Sequence, residues 1–356
     1  MLSVAVASVL LSQAQQRTVP PIDWNNLPYQ NQVKEMADRW RAKYHLPGVW
    51  CAFVKNTKTV AEVAIGFKDR SNNSAATIDD ELPLASVPKV VSGTLIALKV
   101  SEGVIGYDTT IGQVFPELAR RYPMSPLSKA TLRQLISHTS GLPAEPMKKG
   151  SIYQELECSF QDERVTEPGQ KYVYSYGVNL AVAMVEHRVG LPLSEWVRGV
   201  SGQELGLHNL GHYEQNPGMA RYFLDGEVVP YIQRPPQMNH SGSFTLSLSE
   251  LLNFAKFTLE PSSTLPTAIY KQILNRASDS LHSDTSASWH VASSGYLFHD
   301  GGLPGLFCSV RINPKSKTAF IWATNGNVRP GSPVASIGEY QDIQKEILSL
   351  MSSGAR

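Results

Sequence analysis

The chain has 356 residues, 42% of them hydrophobic, 18% charged and 9% aromatic, with 32 basic against 31 acidic side chains. That length allows about two domains of roughly 150 residues or one large domain with an insertion, and the composition is that of a folded globule, neither disordered nor fibrous. A formal charge of +1 leaves no basic surplus to hold nucleic acid or an anionic membrane surface, and no uncharged apolar run reaches the roughly 20 residues of a spanning helix, which argues against stable membrane insertion.

Leu2 to Leu11 is apolar and is followed by Ser12-Gln13-Ala14, with small residues three positions before and directly before a cut after Ala14. This predicts a short signal peptide over residues 1–14 and an exported, periplasmic or secreted protein, although the first charged side chain is Arg17 and no Lys or Arg precedes the apolar run. From Tyr29 to Tyr44, Val33, Met36, Ala37 and Trp40 share one helical face, and Leu46-Pro47-Gly48 ends the helix. Val49–Val54 and Thr59–Ala64 flank the turn-like Lys55-Asn56-Thr57-Lys58 and read as a β-hairpin. The stretch from Asp69 to Asp80 is rich in Asp, Asn and Ser and reads as a surface loop.

A helix is expected over Val90–Ser101, closed by Gly103. The middle of the chain is punctuated by Pro and Gly, with helical pieces at Thr131–His138, Gly177–Val189 and Leu193–Val200. Leu248–Leu259 reads as a helix, Gly295–Phe298, Leu306–Ile312 and Ala319–Thr324 as strands, and Ile337–Met351 as a final amphipathic helix. Residues 15–105 and 240–356 would then form one α/β domain whose sheet both chain ends complete, with a mostly helical insert over residues 106–239.

Cys51, Cys158 and Cys308 are widely spaced and odd in number, so they read as buried thiols without a disulfide framework. No G-x-S-x-G elbow, P-loop or dinucleotide fingerprint occurs, and His208 and His212 lack both a helix to align them and a third ligand, so no metal or cofactor is expected. What remains is Ser86-Val87-Pro88-Lys89. Pro88 suits the first position of a helix, where a missing N–H does no harm, and one turn returns Lys89 to the face of Ser86. A serine hydroxyl needs a base beside it, and a lysine of depressed pKa can serve.

In this setting the chain resembles the serine β-lactamase and penicillin-binding-protein-like family, most closely its class C, esterase and D-aminopeptidase branch. The resemblance runs from about Val33 to Leu350, with landmarks in family order: Leu46-Pro47-Gly48, Gly66, Ala85 to Lys89, Glu102-Gly103 with Asp108, Pro116-Glu117-Leu118, Thr131 to Leu142, Pro168-Gly169 with Tyr174-Ser175, Ser241-Gly242 to Phe254, and His299-Asp300-Gly301. It implies the β-lactamase/transpeptidase-like fold, an antiparallel sheet flanked by helices. It also implies that Ser86 is the acylated nucleophile, that Lys89 and Tyr174 handle its proton, and that the backbone N–H groups of Ser86 and Gly302 stabilise the oxyanion. Gly301 and Gly302 would let a strand edge approach a ligand.

Two departures from the family pattern bear on substrate. Tyr174-Ser175-Tyr176 stands where Tyr-x-Asn is usual, so the amide that grips a substrate is replaced by Tyr176, with Asn179 one turn later as a partial substitute. His299-Asp300-Gly301 stands where β-lactamases carry Lys-Thr-Gly, leaving less fixed charge for a carboxylate. The Tyr29-Gln30-Asn31 copy of the second motif precedes Ser86 and reads as coincidence. His138 reads as a capping or packing residue rather than a triad member. Trp50, Trp196, Trp289 and Trp322 read as core, with Tyr222, Phe223 and Trp289 as alternative cleft residues.

The resulting expectation is a serine hydrolase acting through a Ser86 acyl-enzyme on a small-molecule ester, peptide-like amide or β-lactam-like substrate. The alternatives are a class C-type β-lactamase, an acyltransferase, or a non-catalytic penicillin-binding-like sensor. Oligomeric state is left open.

Overall fold

In the computed structural model the described residues are 27–145, 151–198, 206–207, 211–212, 220–224, 227–228, 241, 244–259, 278–279, 282–326 and 340–353. The predicted signal segment and residues 331–339, where the final helix was expected to begin, lie outside them.

Helix α1 (Gln30–Tyr44) leads into strands β1 (Gly48–Lys55) and β2 (Lys58–Asp69), followed by the short β3 (Ser74–Ala75) and β4 (Leu82–Pro83). The β1–β2 turn is Asn56-Thr57, both at positive φ, as the tight two-residue hairpin turn requires. Helix α2 (Pro88–Ser101) follows, and then a helical region of α3 (Ile111–Val114), α4 (Pro116–Arg121), α5 (Leu132–Ile136), α6 (Ile152–Gln161), α7 (Gly177–Val189) and α8 (Leu193–Arg198). Short strands β5 (Gly211–His212), β6 (Phe223–Leu224), β7 (Glu227–Val228) and β8 (Phe244–Leu246) precede α9 (Leu248–Leu259). The chain ends with β9 (Ser278–Asp279), β10 (His282–Ser286), β11 (Trp289–Val291), β12 (Leu297–Leu303), β13 (Leu306–Asn313), β14 (Thr318–Thr324) and α10 (Gln341–Ser353).

Among the described residues the main sheet has nine strands, in the order β3-β2-β1-β14-β13-β12-β11-β10-β9. The two chain ends meet where β1 pairs antiparallel with β14, from Val49 opposite Thr324 to Lys55 opposite Thr318. Both faces of the central strands are covered, which explains their continuous apolar runs. Trp50, Ala52, Val54, Val310, Ile312, Ile321 and Ala323 face the large core shared with α2, α7 and α9. Val49, Cys51, Phe53, Phe307, Phe320 and Trp322 face a second core under α1 and α10. The period-two alternation of a strand thus feeds two cores at once.

Helix α2 is buried without a break from Pro88 to Leu98, as its lack of a polar face demands. A Cβ on Gly93 would stand 2.0 Å from the Ala287 carbonyl oxygen, so glycine lets the helix lie directly against the β10–β11 turn. That contact fixes α2 against the turn that joins β10 and β11.

One boundary needs correction. The strand expected at Gly295–Phe298 is β12, which starts at Leu297, because Gly295 adopts φ +84° in the preceding turn. The Asp69–Asp80 stretch is a surface loop as expected, pinned at its buried ends: Asp69 and Asp80 are buried, and the Asp80 carboxylate accepts from the Thr77 N–H at 2.7 Å and pairs with Lys68 at 3.2 Å. Trp289 is core as expected, stacked on Phe254, and the alternative placement of Trp289 and Tyr222 in the cleft does not hold, since Tyr222 packs with Ala85, Leu303 and Leu306.

Candidate active site

Ser86 stands in the turn between β4 and α2, and Pro88 takes the first turn of the helix as expected. Ala85, just before it, has φ +50°, a left-handed conformation that costs a non-glycine residue about 1–2 kcal/mol per residue. The Lys89 N–H donates to the Ser86 carbonyl at 3.1 Å, and the two side chains emerge on one side. Lys89 is 6% exposed, and its ammonium donates to the Ser241 carbonyl at 2.6 Å and to Ser86 Oγ at 3.4 Å. A buried polar head group requires such fixed partners.

Tyr174 lies on the segment that leads into α7, 38% exposed, with its ring face 4.8 Å from Lys89 Nζ. Lys89 therefore meets the π-face of Tyr174, and the phenol hydroxyl makes no hydrogen bond to a described residue. On the other wall, a Cβ on Gly301 would sit 2.2 Å from the Leu84 carbonyl oxygen and 2.9 Å from the Ser86 backbone nitrogen. Glycine at 301 is what lets β12 close against the Ser86 turn and brings Gly302 to the cleft. Ser86, Lys89, Glu145, Tyr174, Tyr176 and Gly302 all line one cleft of about 200 Å³.

The remaining sequence candidates fall elsewhere or face differently. Tyr176 lines the cleft with its ring, while its hydroxyl is buried against Ser159 Oγ at 3.1 Å and burial raises its pKa well above the ordinary phenol value. Asn179 is fully buried in α7, and its amide donates to both oxygens of Glu155, at 3.0 and 3.2 Å, so it does not reach the cleft. His299 is 1% exposed beneath the cleft floor, with Nδ1 2.9 Å from the Asp300 carbonyl. Burial first, and then repulsion from His290 and Lys89, holds its pKa well below 6.5, so it is neutral at pH 7. Tyr29 packs against Phe53 beside α1, away from Ser86, and His208 lies outside the described residues.

Three features of the site left no motif in the sequence. The Ser241 carbonyl that anchors Lys89 is a backbone group, and the strain at Ala85 is a conformation that alanine rarely adopts. Glu145 is an isolated carboxylate that only the fold brings to the cleft rim.

With that geometry in place, the model of the Beta-lactamase family matches residues 31–342. The chain belongs to the beta-lactamase family. Protein flp of Staphylococcus aureus is 21% identical over 318 residues, covering 84% of this chain, which spans 63% of that relative's length. Esterase EstB of Burkholderia gladioli is 27% identical over 190 residues, 48% of each chain. The crystal structure of a class C beta lactamase from Rhodobacter sphaeroides superposes with a TM-score of 0.69 at 16% identity, covering 90% of this chain and all of that one, which shows a shared fold.

Proposed function

We propose that this beta-lactamase-family chain hydrolyses small esters through an acyl-enzyme on Ser86. The observation that carries the reading is the Ser86–Lys89 contact opening on a cleft that Tyr174 and Gly302 also line. Ser86 Oγ bonds to the substrate carbonyl carbon as its proton passes to the Lys89/Tyr174 pair, which accepts it with Lys89 as the free amine or Tyr174 as the phenolate. The carbonyl oxygen takes the negative charge and turns toward the N–H groups of Ser86 and Gly302. Collapse of this adduct breaks the ester C–O bond, and the departing alkoxide recovers the proton. Water then repeats the sequence on the acyl-enzyme, releasing the acid and restoring Ser86.

The lining favours esters over β-lactams. Lys89 is its one cation among the described residues, Glu145 adds a carboxylate that makes no ion pair with a described residue, and His299 is buried and neutral. The carboxylate of a penicillin therefore meets like charge at Glu145. Tyr176 presents a ring and no amide, so an amide substrate leaves a polar group unpaired, which costs about 1–3 kcal/mol. Similarity to an esterase points the same way.

The test is kcat/KM for p-nitrophenyl butyrate, nitrocefin and a D-alanyl p-nitroanilide on one preparation. The butyrate ester should lead, and Glu145→Lys should raise nitrocefin turnover relative to the ester several-fold. Nitrocefin leading by tenfold or more would overturn the ester reading in favour of a β-lactamase.

A further inference from the structure

His138 stands two residues beyond α5 at φ +61°, a conformation in which His, Asn and Asp are enriched among non-glycine residues. It opens a turn, His138 to Gly141, that receives the incoming chain as a template. The N–H groups of Thr166, Gly169 and Val173 donate to the carbonyls of Gly141, Thr139 and His138 at 3.0, 2.7 and 2.8 Å. Close approach is enforced at Gly141, where a Cβ would stand 2.1 Å from the Thr166 carbonyl oxygen. The side chain of His138 then adds a bond of its own. Its Nδ1 accepts from the Ser175 N–H at 3.1 Å, and its ring lies 4.6 Å from the Tyr174 ring.

Tyr174 is thus bracketed by residue 138 on both sides, with the Val173 N–H on the carbonyl and the Ser175 N–H on the imidazole. The segment has no helix or sheet ladder to hold it. We infer that His138 is a positioning residue for Tyr174, acting through its unprotonated Nδ1. The inference rests on the role assigned above to Tyr174. To accept from Ser175, the ring must be neutral and carry its proton on Nε2. A misplacement of about 1 Å at a reacting group typically costs about a hundredfold in rate.

Two variants separate the backbone conformation from the acceptor. His138→Gly keeps the left-handed turn and removes Nδ1; His138→Asn tolerates the same φ and puts an amide oxygen near the Nδ1 position. With p-nitrophenyl butyrate, the glycine variant should lose about 30- to 100-fold in kcat with KM within about threefold, and the asparagine variant should stay within about fivefold in kcat. The asparagine variant should melt near the parent temperature, and the glycine variant lower, since it loses a buried ring and leaves the Ser175 N–H without its acceptor, while still folded at the assay temperature.

A glycine variant at the parent kcat would overturn the inference. So would an asparagine variant that loses as much as the glycine one while both remain folded. A third readout needs no substitution: nitrogen NMR of histidine-labelled protein at pH 7 should show His138 neutral with the proton on Nε2. A proton on Nδ1 would overturn the inference even if the glycine variant failed to fold. The tautomer does not depend on Ser86 chemistry, so failure of the hydrolase reading would show separately, as an active Ser86→Ala variant.

Discussion

Lys89→Met should lower kcat/KM for p-nitrophenyl butyrate by about 10³- to 10⁴-fold while leaving the protein folded. Methionine matches the lysine stem in length and apolar character, and the first turn of α2 is otherwise buried among apolar residues. What is lost is the Nζ group that bridges the Ser241 carbonyl and Ser86 Oγ. Without it the serine has no partner to hold or take its proton, and proton transfer by a positioned group is worth about 10²- to 10⁴-fold. The buried hydrogen bond from Lys89 to the Ser241 carbonyl is lost as well, which should appear as a lowered melting temperature. Steady-state kinetics and a thermal melt on the same sample check both parts. A loss under tenfold would remove Lys89 from the mechanism.

Gly301→Ala should be nearly as damaging by a different route. The new methyl would overlap the Leu84 carbonyl oxygen at 2.2 Å and the Ser86 nitrogen at 2.9 Å, and both neighbours are backbone atoms that cannot swing aside. Strand β12 must retreat from the nucleophile turn, taking Gly302 with it. Losing one oxyanion donor costs about 10²- to 10³-fold in kcat, and overpacking of this kind costs about 1–3 kcal/mol of stability. Gly295→Ala is the control, since its Cβ would meet nothing within 4 Å and φ +84° is its only constraint. It should destabilise modestly and leave kcat unchanged. A Gly301→Ala variant with the parent kcat would show that the β12 edge does not shape the reacting centre.

The parts of this site that could be read from sequence are those fixed by local geometry. Ser86 and Lys89 stand one turn apart at a helix start marked by Pro88, and that spacing survives folding. Gly301 betrays a close backbone approach because no other residue fits there. The apolar runs of β1, β13 and β14 were legible because both faces are buried.

Other elements carried no such signal. Strands β9 and β10 are written in Ser, Asp, His and Thr, which local patterning cannot separate from a loop. Tyr176 and Asn179 were legible as departures from a motif, yet only folding decides that one turns its hydroxyl to Ser159 and the other its amide to Glu155. His299 looked like a weak cation for substrate and is instead buried beneath the cleft, because β12 alternates and turns every odd residue from Leu297 to Leu303 inward. His138 read correctly as a packing residue, but its hold on both flanks of Tyr174 depends on pairing between segments more than thirty residues apart.

The central claim is that Ser86 is the nucleophile. Its most direct measurement is intact-mass analysis after treatment with a fluorophosphonate, on the parent protein and on Ser86→Ala under identical conditions. One phosphonyl group per chain, mapped to the peptide containing Ser86 and absent from the alanine variant, is the predicted result. Equal labelling of both proteins would contradict it.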